Sequence, residues 1–199
     1  MPLSLDTLLA LSLFSIVSSI TPGPNNIMVL SAGANFGLKR SMPHILGISL
    51  GFFVLCMACG MGLGSLLLQF PGIHTALKIS AAIYLLYLAY KIASSRTLSQ
   101  TSESSQPFTL LQAAMFQWVN PKGWMMAISA MILYTIPEQP FYSTLWVSLI
   151  FGIFCFPCIL IWCLFGTLLR QFLSDPARLK YFNICMGLLL ISCIYPMIR

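Results

Sequence analysis

Apolar residues fall into six runs along the chain, each near the roughly 20 residues a helix needs to cross a bilayer. Short polar or proline-glycine punctuation separates them. The pattern predicts spans at about 7–35, 43–69, 75–93, 109–136, 142–169 and 180–198. Pro71-Gly72 closes the second run, and Pro137 and Pro140 bracket the turn after the fourth. Residues 94–107, rich in Ser, Thr and Gln, read as a polar connector. The first run is broken from within by Thr21-Pro22-Gly23-Pro24-Asn25-Asn26. Two prolines two apart remove backbone donors and clash with the preceding turn, so no continuous helix passes through. In a bilayer such a break survives only where protein or a wet cavity surrounds it.

Composition agrees with the pattern. Of 199 residues, 58% are hydrophobic and 7% charged, against about 25% charged in soluble domains. The length suits one domain. The N-terminal run lacks a basic leader, carries Asp6 and continues past its break, so it reads as a retained helix rather than a signal peptide. The net charge of +6 does not indicate a nucleic-acid partner, because the ten basic residues are scattered through short loops. Lys39, Arg40, Lys91, Arg96, Arg170, Arg178 and Lys180 follow odd-numbered spans, while Lys78 and Arg199 lie on the other side. The positive-inside rule makes the first group cytoplasmic and both termini periplasmic.

An internal repeat appears at an offset of 99 residues. Pro22 maps onto Pro121, Phe52 onto Phe151, Cys56 onto Cys155 and Cys59 onto Cys158. Three spans per half is an odd number, so the second half enters from the opposite face. The predicted fold is an all-α integral membrane protein of six transmembrane helices. They form two inverted three-helix repeats, 1–93 and 108–199, with helices 1 and 4 broken. Interrupted segments at matching places in two halves point to a transporter's binding site.

The breaks carry the candidate chemistry. Thr21-Pro22 and Asn120-Pro121 each pair a good N-cap residue with proline at a first helical position, so each reads as the start of a half-helix. Free N–H groups there suit a carboxylate. Carbonyls freed before each break suit an ammonium, and Asn25, Asn26, Gln117 and Asn120 add neutral donors and acceptors. A zwitterion, and so an amino acid, fits both demands. The alternative is a pair of proline kinks that only shape packing. Lys122, inside the fourth span, has two readings. It holds a carboxylate or proton in the membrane, or it snorkels to the cytoplasmic interface. Asp6, Glu103, Glu138 and Asp175 all lie at ends or in loops, which favours a substrate without a cationic side chain.

Other features have plainer readings. Cys56/Cys59 and Cys155/Cys158 form matched CxxC pairs, lying in sequence away from the breaks. They are able to serve a thiol-redox carrier or bind zinc, but the default is small buried thiols. Gly33/Gly37, Gly47/Gly51 and Gly60/Gly64 permit close helix contact, within the chain or at the seam of a homodimer. Tyr84, Tyr87 and Tyr90 read as packing or interfacial aromatics, and His44 and His74 as surface polar residues at opposite interfaces.

Thr21-Pro22-Gly23-Pro24-Asn25 together with Asn120-Pro121-Lys122 resembles the LysE/RhtB family of bacterial amino-acid exporters. The likeness extends over the whole chain, through the Gly47–Gly51 region and the Ala-Ala-Ile-Tyr-Leu run at 81–85 followed by Lys91. Asn25-Asn26 and Lys91-Ile-Ala-Ser-Ser95 are most similar to its cysteine/O-acetylserine exporter branch. The resemblance implies export of a small neutral amino acid across the inner membrane, driven by proton antiport, with no cofactor and no enzymatic step.

Overall fold

Proline opens five of the helices in the computed structural model, which describes residues 4–95 and 106–195. Its ring fixes φ, and at the first helical position its missing N–H costs nothing. The helices are α1 (Leu5–Ile20), α2 (Pro24–Phe36), α3 (Leu38–Ala58), α4 (Gly64–Gln69), α5 (Pro71–Ala93), α6 (Leu110–Phe116), α7 (Pro121–Tyr134), α8 (Pro140–Leu169) and α9 (Pro176–Ser192). No strand occurs among the described residues. Leu38–Leu66, Thr75–Ala93 and Pro140–Leu169 are long and apolar enough to cross a membrane, and α1 with α2 forms a fourth such stretch bent by 60°. The other two predicted runs are shorter as helices. α6 and α7 are separated by the turn at residues 117–120, and α9 has 17 residues.

Several boundaries shift for local reasons. The second run continues through a wide π turn, Cys59–Leu63, where Gly62 takes φ +110°. Pro71 ends α4 and also starts α5, four residues before the predicted 75. Asp175 caps α9 by accepting from the N–H groups of Ala177 and Arg178, which sets that helix's start at Pro176 rather than 180. Most of the polar connector, with Arg96 and Glu103, lies outside the described residues, as do Arg199 and the side chain of His74.

Packing follows an exchange rule. α8 lies along both halves of the first broken run, α1 and α2, while α3 lies along both halves of the second, α6 and α7. α3 and α8 also lie against each other, and α5 pairs with α9. Glycine sets the closest crossing: a Cβ on Gly33 would strike the Cys163 carbonyl, and one on Gly166 would strike the Leu30 carbonyl. Each helix therefore presses its backbone into the other's glycine. Gly47 and Gly51 do the same for α3 against α6, so this spacing serves internal packing. Three apolar clusters fill the spaces between these pairs, one around Phe52, Trp124 and Phe151, one around Leu85, Phe116 and Leu190, and one around Val29, Ile48 and Ile159.

The tyrosines behave as expected: Tyr87 and Tyr90 are exposed, and Tyr84 packs on Phe116. His44 does not. It is buried at 2% exposure against Phe108, because α3 turns it inward toward the ends of α2 and α5 rather than outward to an interface.

Candidate functional site: two helix breaks held face to face

The first break is longer than its sequence suggests. A residue before proline is driven out of the helical region, and this acts twice, at Thr21 and at Gly23. Thr21 and Gly23 are accordingly extended, and α2 starts at Pro24, not Pro22. Thr21 is thus the C-cap of α1 rather than the N-cap of a half-helix. The second break follows the expectation: Asn120 is extended and Pro121 begins α7. Asn120 makes no side-chain capping bond, however, and its Oδ1 is buried without a partner.

The structure brings the two breaks together. Lys122 Nζ donates to the Thr21 carbonyl at 2.6 Å and to the Thr21 hydroxyl at 3.0 Å. Asn25 Nδ2 donates to Gln117 Oε1 at 2.8 Å, and Gln117 Nε2 returns a longer bond to Asn25 Oδ1 at 3.3 Å. Gln117 is anchored by a second bond to the Ala113 carbonyl. Lys122 is therefore tied to the first break and does not stand free.

The carbonyls freed by the breaks are also claimed from within. Asn26 Nδ2 donates to the Ser19 carbonyl at 2.9 Å, and the indole N–H of Trp162 on α8 donates to that of Ile20 at 3.0 Å. In the second half Trp124 Nε1 donates to the Trp118 carbonyl at 2.9 Å. The expectation that these carbonyls await an ammonium is corrected. They must be satisfied before any ligand arrives, since an unpaired buried carbonyl is costly in an apolar surround.

Two cavities flank the Lys122 side chain. The inner one, about 20 Å³, has room for roughly one water. Asn25, Asn26, Gln117, Asn120 and Lys122 line it, together with Cys155. The outer one, about 380 Å³, is lined by Pro22, Gly23, Pro24, Pro121 and Lys122, with Cys193 from the end of α9. Of the ten residues predicted for the site, nine line one of these spaces, and Thr21 holds the lysine between them. Among the described residues no acid lines either cavity. Gly23 makes room for the lysine, because a Cβ there would lie 2.8 Å from Lys122 Cδ.

Comparison with known proteins decides the family. The LysE type translocator family matches residues 16–193, nearly the whole chain and both breaks.

The chain belongs to the LysE family.

It is therefore a membrane transporter and not an enzyme. The cysteine/O-acetylserine efflux protein of Escherichia coli O139:H28 is 30% identical over 184 residues, covering 90% of this chain and 91% of the relative. Proteins of the same description from Escherichia coli K12 and Shigella flexneri serotype 5b are 29% identical over the same coverage. No solved structure matches.

Within this LysE-family chain, sequence reasoning missed some members of the site. Cys155 was read as remote from the breaks, yet it lines the inner cavity together with Ser19, whose buried hydroxyl has no hydrogen-bond partner. Its place two helical turns below Ser148 on the buried face of α8 carried no chemical signal. All seven cysteines are free, and among the described residues no three His, Cys, Asp or Glu side chains gather as a metal site. Also unread was the buried pair Asn35 and Asn183. Asn35 Nδ2 donates to Asn183 Oδ1 at 3.0 Å, and Asn183 Nδ2 donates to the Ser95 carbonyl at 3.1 Å. It ties α2, α5 and α9 at the end of the bundle opposite Thr21.

Proposed function

We propose that this protein is a secondary active exporter of small neutral amino acids in the bacterial inner membrane. Its substrates are of the cysteine/O-acetylserine or homoserine/threonine kind, and a proton gradient drives export. The observation that carries the reading is the Lys122–Thr21 contact between the two breaks, set over a cavity lined by amides and no acid. Lys122 occupies the acceptors that a substrate's ammonium needs. A substrate carboxylate draws the lysine to itself, and the ammonium takes the Thr21 oxygens it leaves. Asn120 Oδ1, unpartnered without ligand, accepts a further N–H. Asn25 and Gln117 satisfy each other at rest and exchange that bond for the zwitterion.

In this reading the chain is one transporter domain of six spans. Two inverted repeats, 1–93 and 108–199, are joined by the connector 94–107, and both termini are periplasmic. The packing exchange supports it: swapping spans one with four, two with five and three with six converts the observed helix pairs into one another. One repeat rocks against the other around the breaks. The inner cavity is too small for an amino acid, so it must widen for the substrate to enter.

The test is efflux from proteoliposomes holding the purified protein and a panel of labelled amino acids, with and without a pH gradient. Export of cysteine, O-acetylserine, homoserine or threonine, accelerated by the gradient, is the expected result. Transport of none of them overturns the substrate reading, and indifference to the gradient overturns proton coupling.

A further inference from the structure

His44 is a buried imidazole with no task at the central site. It is 2% exposed, and neither ring nitrogen has a hydrogen-bond partner. Buried polar side chains without partners are rare and costly. His44 forms part of the wall of a cavity of about 100 Å³, together with Ser31 and Asn35 of α2, Lys91 near the end of α5, Ser95 and Phe108. A groove along Lys39 and Arg40 shares Gln106, Pro107 and Phe108 with that cavity, so three cations stand around its mouth. Among the described residues, His44, Lys91, Lys39 and Arg40 are the titratable groups lining the two spaces, and no carboxylate is among them. Positive charge of this kind draws in an anion rather than another proton.

We infer that this cavity is a second amino-acid site, an antechamber that receives substrate on the cation-rich side before it reaches the breaks. The inference rests on the exporter reading. Lys91 attracts the carboxylate, and the two unpartnered ring nitrogens of His44 supply one donor for it and one acceptor for the ammonium. Asn35 already donates to the Ser31 carbonyl and to Asn183 Oδ1, which holds that wall in place. α2 joins the two sites: Asn25 and Asn26 stand in its first turn and Asn35 in its last. Nine residues of helix separate Asn26 from Asn35, about 13 Å. α2 therefore runs from one polar station to the other.

Equilibrium binding to the full-length protein in detergent, with tritiated L-threonine and O-acetyl-L-serine run in parallel, tests this. Two molecules bound per wild-type chain, and one in each of His44→Phe and Asn120→Ala, are expected. One molecule per chain, lost in Asn120→Ala and unaffected by His44→Phe, overturns the antechamber and leaves the central site standing. One molecule lost in His44→Phe and kept in Asn120→Ala supports the antechamber and overturns the central site. Binding of neither amino acid overturns the exporter reading and this inference with it. A second measurement does not depend on a His44 variant folding. In Asn120→Ala protein also carrying His74→Gln, and purified without a histidine tag, His44 is the sole histidine. Its modification by diethyl pyrocarbonate, read by mass spectrometry, slows about tenfold with saturating amino acid if both its nitrogens become bonded. An unchanged rate overturns the inference.

Discussion

The ammonium of Lys122 lies 2.6 Å from the carbonyl oxygen of Thr21, joining residues 101 positions apart at the two helix breaks. The bond does two jobs with one group. It satisfies a carbonyl that the prolines freed, and it holds the cation at the boundary between the inner and outer cavities. Removing the charge loses both.

Lys122→Met is therefore expected to reduce efflux by about 10- to 100-fold, the equivalent of the ~1.5–3 kcal/mol of a charged hydrogen bond. Lys122→Arg recovers little, since a planar guanidinium does not reproduce the two bonds that one ammonium makes to the carbonyl and hydroxyl of Thr21. Proteoliposome efflux at matched protein content reads both. Wild-type rates in Lys122→Met would remove the lysine from the mechanism.

The Asn25–Gln117 pair is expected to couple the halves thermodynamically. Asn25→Ala and Gln117→Ala each strand a partner, so the double variant should be more stable than the sum of the single losses predicts, by about 1 kcal/mol. Thermal unfolding in detergent, run as a double-mutant cycle, measures this. Simple additivity would mean that the two amides do not act as a pair.

Close helix crossing predicts a sharp contrast between glycines. Gly33→Ala places a methyl against the Cys163 carbonyl, backbone that cannot rotate away, and should cost about 1–3 kcal/mol. Gly72→Ala meets nothing within 4 Å and should leave the melting temperature unchanged. Similar melting of the two variants would contradict the crossing of α2 and α8.

Much of this arrangement is legible in the chain, and what is not has a physical cause. Proline and its neighbours act locally, so Asn120-Pro121 marks the start of α7 without any structure. The start of α2 at Pro24 needed one more step, because two X-Pro restrictions in series extend the backbone beyond the first proline. The offset of 99 pointed to the partnership of the two breaks but not to its chemistry. Which lysine reaches which carbonyl depends on where helices far apart in sequence cross. The same holds for Cys155, which meets the inner cavity across a helix seam, and for Asn35 and Asn183, whose bonds across the bundle join residues 148 and 88 positions apart. His44 was misread for the same reason: proximity to a helix start suggests an interface, but tertiary packing turns that face inward.

Asp175 supplies a pH dependence outside the membrane. Accepting from the backbone N–H of Arg178, and also of Ala177, holds its carboxyl below the usual carboxylate range. A depressed folded value contributes stability that is present above the unfolded pKa and is lost as pH falls through the folded one. The first turn of α9 should stay protected through neutral and mildly acidic pH and fray only below the ordinary carboxylate range. Hydrogen exchange at the Ala177 and Arg178 amides reads it, and Asp175→Asn should abolish the pH dependence while keeping the cap. Fraying that begins near neutral pH would assign the effect to another group.

Asn120 separates stability from function most cleanly. Its Oδ1 is buried without a partner, and its side chain makes no capping bond for α7. The resting protein thus bears the desolvation cost of a group it does not use, about 1–3 kcal/mol. Leucine has a similar shape and no polar atom to strand. Asn120→Leu should therefore match or exceed the wild type in thermal stability while losing efflux. Asn120→Asp should lose both, since it buries a charge where the wild type buries a neutral amide. Destabilisation by leucine would show that Asn120 is a structural residue, and retained efflux would show that its oxygen does not meet the substrate. Gain of stability together with loss of transport is the outcome that only a ligand-directed acceptor produces.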